Sequence, residues 1–264
     1  MLRTKLIITS LPDKNKIPTE IKNAWNDMLK NNKNYELRVF DNNDLEYIMK
    51  NEFPEYKKYW DQIRTEYYVA KVDLFRVLYI YKYGGIWLDA KIVLKRKLNS
   101  MGDNFLFARD KRCVRNINSN AGNVGSVSNA AFGFTKNHIF LKLCIEYITK
   151  RLDNYKKWYS IIPADMIPRG RTQILNVTGP GVFRDVLCNN KNIIKNNNIN
   201  LYQQYSDAIV WSVFEPHIKV FWNLKRYHRK ILDIETDYDD LPLLYGIEYN
   251  SHNSYNSYNS YKLQ

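Results

Sequence analysis

Glycine and proline are scarce in this 264-residue chain, at 10 and 8 residues, and no phosphate-cradling run of the G-x-G-x-x-G or G-x-x-x-x-G-K-S/T type occurs. Dinucleotide binding of the Rossmann kind and P-loop chemistry are therefore excluded. Cysteine is scarcer still. Cys113, Cys144 and Cys188 are odd in number, far apart and without C-x-x-C spacing, so neither a disulfide framework nor a zinc site is expected, and a reducing, cytoplasmic compartment is. Long apolar runs are missing: the opening MLRTKLIITSLP is too short for a signal core or a span, which leaves peripheral contact as the one membrane role open. Acid is also under-represented, 27 Asp+Glu against 40 Lys+Arg, and the net charge of +13 favours anionic partners. A basic nucleic-acid-binding protein is one reading of that charge. It is disfavoured, because no helix-turn-helix, RRM, KH or zinc-finger signature appears and the Asn, Lys, Ile and Tyr excess fits the codon bias of an AT-rich genome.

What is present alternates strand and helix signals. Leu6-Ile7-Ile8 reads as a buried strand; Pro18 opens an amphipathic helix over 18–31 through Ile21, Trp25, Met28 and Leu29; YELRVF at 35–40 alternates as a strand, with Asp44 expected to cap a short helix. The aromatic, basic FPEYKKYW at 53–60 reads as packing anchors rather than a base-stacking surface. A wide apolar stripe from Val69 to Ile80 predicts a long helix, stopped at Gly84 by a left-handed glycine and followed by the strand Ile86-Trp87-Leu88. A period of two places Trp87, Asp89 and Lys91 on one side. Further strands are expected at Asn104–Ala108 and Ser128–Phe134 and helices from Phe140 to Leu152 and after Thr178-Gly179-Pro180-Gly181. Between them lie an Asn/Gly/Ser-rich loop at 110–128, an irregular stretch at 158–171, and an Asn/Lys-rich excursion at 189–200 expected to add little core. Short apolar runs follow at Val210-Trp211 and Val220-Phe221-Trp222, then an acidic patch at 233–240. One domain over 1–248 is expected, with a disordered Asn/Ser/Tyr tail over 249–264.

This order predicts an open α/β sheet whose ligand crevice lies beyond the strands' carboxyl ends. Asp73 and Arg76 share a helical face in an otherwise apolar stretch, and the Gly84-Gly85 turn folds them toward Asp89. A carboxylate and a guanidinium together suit sugar hydroxyls and a diphosphate.

Asp73-x-x-Arg76 followed by Tyr83-Gly84-Gly85-Ile86-Trp87-Leu88-Asp89 resembles the sugar-transferase signature of glycosyltransferase family 32. Ile17-Pro18, the Trp25 helix, NNKNYELRVFDNNDL, Asn129 within SNAAFGF, and Thr178-Gly179-Pro180 fall in the family's order, so the resemblance covers roughly residues 1–190. It implies a GT-A, Rossmann-like open sheet with helical additions. It also implies a nucleotide-diphosphate sugar as donor, a divalent metal (Mn²⁺ or Mg²⁺), transfer of a hexose with retention, and a glycan, lipid-linked or protein acceptor. By the same resemblance Asp73, Arg76, Trp87 and Asn129 would line the donor pocket. Asp89, first acid of the DXD motif, would hold ribose and sugar or assist the metal. A C-terminal His and Trp are also part of the pattern, with His217, Trp222 and His228 as candidates, and a basic cluster runs from Lys219 to Lys230.

The chain departs from the pattern at the second acid, reading Asp89-Ala90-Lys91. Hard cations take oxygen ligands, and an ammonium offers none. Lys91 is therefore expected to be catalytic beside Asp89, its charge facing the donor diphosphate in place of part of the metal's work. The competing expectation is a degenerate transferase that binds nucleotide sugar without turning it over.

Overall fold

A computed structural model describes residues 4–94, 97–108, Cys113, Asn116, 127–155, 174–190, 192–203 and 209–211. The first strand, β1 (Leu6–Ser10), is buried along almost its whole length, as a continuous aliphatic run in a parallel sheet must be. Helix α1 (Thr19–Lys30) starts directly after Pro18 and turns Ile21, Trp25 and Met28 inward at helical spacing. After β2 (Glu36–Phe40), helix α2 (Asn42–Glu52) opens with a reciprocal cap. The Asp44 N–H donates to Asp41 Oδ1 and the Asp41 N–H to Asp44 Oδ2, both at 3.0 Å. The cap is thus Asp41, and Asp44, expected in that role, sits three residues in and closes the box.

A short α3 (Lys57–Gln62) leads to α4 (Tyr68–Tyr83), the most buried helix described. It ends at Gly84, where φ is 69° and ψ −176°. That is an extended positive-φ well open to glycine alone, rather than the left-handed helical conformation anticipated. At Gly85, φ 113°, a Cβ would lie 2.8 Å from the Leu6 carbonyl oxygen. Two glycines thus let the chain pass from α4 straight into β3 (Gly85–Leu88) pressed against β1.

Then come β4 (Ile92–Leu94), β5 (Asn104–Ala108), β6 (Val127–Phe134) and α5 (Ile139–Asp153). A π-helical turn (Ile174–Thr178), α6 (Pro180–Asn189), α7 (Ile193–Asn196), β7 (Ile199–Gln203) and β8 (Ile209–Trp211) complete the described elements. The main sheet runs β2-β1-β3-β6-β5-β7, and β6 alone in it is antiparallel to its neighbours. Strands β4 and β8 form a separate antiparallel pair.

Alternation along the strands feeds two cores. Ile8, Trp87, Leu106 and Phe132 pack with α2 to α6 on one face, and Ile7, Ile86, Leu88, Phe105 and Ala131 pack over α1 on the other. Because β2 and β3 lie on opposite sides of β1, the chain reverses its direction of travel there, which makes the carboxyl ends of β1 and β3 the topological switch point where open α/β sheets take their ligands.

The excursion at 189–200 contributes more core than expected: Ile193 and Ile199 are buried, and β7 extends the sheet beside β5. Its asparagines serve as turn formers, with Asn192 and Asn198 at φ 68° and 49°, which leaves the aliphatic positions free to face inward. Most of the loop at 110–128, the stretch 158–171, Val220-Phe221-Trp222, the acidic patch, the 1–248 boundary and the tail lie outside the described residues.

Candidate active site

One face of α4 carries Asp73 and Arg76 a turn apart, and their side chains pair at 3.2 Å between Arg76 Nη2 and Asp73 Oδ1. Beyond the carboxyl end of β3, Asp89 is held by its backbone N–H donating to the Ala130 carbonyl on β6, 2.8 Å. Arg76 Nη1 reaches across to Asp89 Oδ1 at 3.1 Å and donates to the Asn129 carbonyl at 2.7 Å. Asn129 Nδ2 donates to Asp73 Oδ1 at 2.9 Å. The indole of Trp87 donates from Nε1 to Asp89 Oδ1 at 2.8 Å, while the Arg76 guanidinium lies 5.0 Å from its ring centre. Asp73, Arg76, Trp87, Asp89 and Asn129, named together from the family resemblance, form one connected cluster.

The cluster has an inside and an outside. Asp73 and Arg76 are each 3% exposed and Trp87 is fully buried, whereas the Asp89 side chain is 40% exposed. Burial pushes the Asp73 carboxyl up to about 6. Arg76, Thr178 and Asn129 oppose that shift, and the like charge of Asp89 adds to it. Arg76 Nε is buried with no hydrogen-bond partner, so the guanidinium keeps one unused donor.

Thr178 belongs to this cluster, although the sequence marked it only as a helix start and as part of the family's order, with no role in the site. Its hydroxyl lies 3.2 Å from Asp73 Oδ2 and 3.3 Å from the Ile174 carbonyl. The T-G-P-G run shows where the chain turns; nothing in it shows that the hydroxyl faces α4.

Lys91 is not placed by strand alternation. The strand stops at Leu88, and Asp89 to Ile92 form a turn closed by the Ile92 N–H on the Asp89 carbonyl at 2.7 Å. The Trp25 indole braces the turn by donating to the Ala90 carbonyl at 3.2 Å. Lys91 is half-buried; burial lowers its ammonium below the usual lysine range, and Asp89 pulls it back up.

This set offers a divalent metal few ligands: Asp89 Oδ1 already accepts from Trp87 and Arg76, and the position two residues on is an ammonium, which leaves Asp89 Oδ2 as the carboxylate oxygen of the motif that could reach one. His217, Trp222, His228 and the basic cluster lie outside those residues.

An open, mostly parallel sheet with an acid, arginine and tryptophan cluster at its switch point defines a class, the GT-A kind of α/β fold. The solved PaToxG glycosyltransferase is similar to this chain with a TM-score of 0.50 at 16% identity, covering 70% of this chain and 69% of that one. The likeness is one of fold. Residues 18–108 match the family described as a glycosyltransferase sugar-binding region containing the DXD motif. An uncharacterized glycosyltransferase of Acanthamoeba polyphaga mimivirus is 30% identical over 131 residues, 48% of this chain and 51% of that protein. The chain thus spans about half the length of this curated relative. No helix among the described residues is long and apolar enough to cross a membrane.

Proposed function

We propose that the protein is a glycosyltransferase that moves a hexose from a nucleotide-diphosphate sugar to a glycan, lipid-linked or protein acceptor, with retention at the anomeric carbon. The observation that carries this reading is the Asp73-Arg76-Trp87-Asp89-Asn129 cluster at the switch point, four of whose members fall inside the matched sugar-binding region. Asp89 has one carboxylate oxygen fixed by Trp87 and Arg76, which leaves the other for hydroxyls of the donor. Arg76 and Lys91 supply the positive charge that a diphosphate leaving group requires, Lys91 at the position of the motif's second acid.

A second reading rests on that same lysine: a protein that binds nucleotide sugar without transferring it. Thermal-shift titration with UDP- and GDP-sugars, then mass spectrometry of products with and without EDTA, separates the two. Transfer that survives the chelator is expected. Transfer abolished by EDTA would overturn the role given to Lys91, and a thermal shift without product in any metal would favour the second reading.

A further inference from the structure

Thr178 reaches Asp73 from a segment far along the chain, and it does so from an unusual support. The π-helical turn Ile174–Thr178 is closed by the Gly179 N–H donating to the Ile174 carbonyl at 2.7 Å. A Cβ at Gly179 would come within 2.7 Å of that same carbonyl, and one at Gly181 within 2.7 Å of the Leu175 carbonyl, so both glycines are needed for α6 to start this close to the turn. Such single π-turns are uncommon in folds and concentrate where a side chain must be aimed.

The turn is also held from outside. Arg151, in the last turn of α5 and only 3% exposed, donates from Nη1 to the Asn176 carbonyl in the middle of the π-turn, and from Nη2 to Asp185 Oδ2 on α6 at 2.6 Å. One buried guanidinium thus ties three elements together, and the middle one carries Thr178. The Asn176 carbonyl lies two residues before Thr178, so the guanidinium that donates to it also anchors the support from which Thr178 is aimed. The Thr178 hydroxyl has a single hydrogen and two acceptors, Asp73 Oδ2 and the Ile174 carbonyl; the charged acceptor is the stronger, but only while the turn keeps the oxygen in place.

We propose that Arg151 is a positioning residue for the donor pocket: through the π-turn it fixes Thr178 on Asp73, and Asp73 in turn sets the guanidinium of Arg76 against Asp89 and Trp87. This deepens the donor-binding reading and rests on it for its function, while the chain of contacts can be tested without any donor. Trp87 is the reporter, because its indole N–H sits on Asp89 and its ring faces Arg76.

The experiment compares the wild-type chain with T178V, T178S, R151M and D185N, the last loosening Arg151 without emptying its buried place. The Trp87 indole resonance, assigned with W87F, is followed in the unliganded proteins, and dissociation constants for UDP, GDP, UDP-glucose and GDP-mannose are measured by calorimetry. T178V and R151M should move the Trp87 resonance in the same direction and weaken binding of whichever nucleotide wild type takes by about tenfold. T178S should restore both, and the T178V/R151M double variant should bind no more weakly than T178V alone. A Trp87 resonance that moves in T178V but stays in place in R151M, or in D185N should R151M not fold, overturns the proposal and leaves Arg151 as a bond between helices. A resonance unmoved by T178V overturns it as well. If wild type binds none of the four probes, the donor reading fails, and the resonance still decides the clamp.

Discussion

Arg76 stands between two carboxylates, and only one of them meets solvent. Asp73 is the inner one, held at about 6 chiefly by burial, above its ordinary value of 3.8. The folded protein therefore keeps a proton that the unfolded chain has already released, and this favours folding at acid pH. That contribution is fully present below about pH 4, shrinks as pH rises through the window up to about 6, and is flat above it. The shift corresponds to about 3 kcal/mol across the window, as an upper figure for one buried group. Urea unfolding of wild type and D73N at half-unit steps from pH 4 to 7 should show wild type losing stability relative to the variant up to about pH 6. Parallel curves would mean that Asp73 is not the group responsible. At this scale the sequence was informative about identity and silent about depth. Asp73, Arg76, Trp87, Asp89 and Asn129 could each be named from residue type and motif, but that Asp73 lies beneath Arg76 while Asp89 faces outward follows from packing that no local pattern encodes. Thr178 escaped for the same reason, since its partner is 105 positions away.

Among the elements, the passage from α4 to β3 does most to bring the cluster together, for it converts a helix face and a strand end into neighbours with no intervening loop. Its cost is a backbone that only glycine adopts. G85A should destabilise the protein by about 2 kcal/mol or more, since the added methyl meets the Leu6 carbonyl at 2.8 Å and φ of 113° is strained for any other residue. Equilibrium unfolding measures this, and a change below about 0.5 kcal/mol, the range of an unremarkable surface substitution, would show that the backbone there relaxes freely. Elements with strong periodicity, such as α1, α4 and α5, were legible in the sequence because their buried faces recur at helical spacing. The cap at Asp41 was displaced by three residues because Asp41 and Asp44 satisfy the same pattern and only the reciprocal hydrogen bonds distinguish them. Strand β7 was missed because its alternation is as short as Ile199-Asn200-Leu201 and follows directly on an Asn/Lys-rich run, and pairing with β5 supplies the order.

For the whole molecule, a net charge of +13 bears on association more than on fold. Polyanions should bind this protein loosely and in a salt-steep manner. Nucleotide sugar should bind through a few fixed donors in a sheltered crevice. Affinity for a random RNA is expected to fall by about a thousandfold or more between 50 and 200 mM salt if on the order of six phosphates are contacted, while affinity for the preferred nucleotide sugar changes only a few-fold. Tight RNA binding with no nucleotide-sugar binding would return the molecule to the nucleic-acid reading.

The turn from Asp89 to Ile92 also separates shape from identity. Its form is fixed by the Ile92 N–H on the Asp89 carbonyl, by the Trp25 indole on the Ala90 carbonyl and by the pairing of β4 with β8, all of which engage main-chain groups on the turn side. These bonds set the form of the turn without calling on the identity of the side chain at position 91. An acid or an ammonium can be carried at that position on the same main-chain scaffold, and on the proposed reading the exchange replaces one source of positive charge by another without rebuilding the turn.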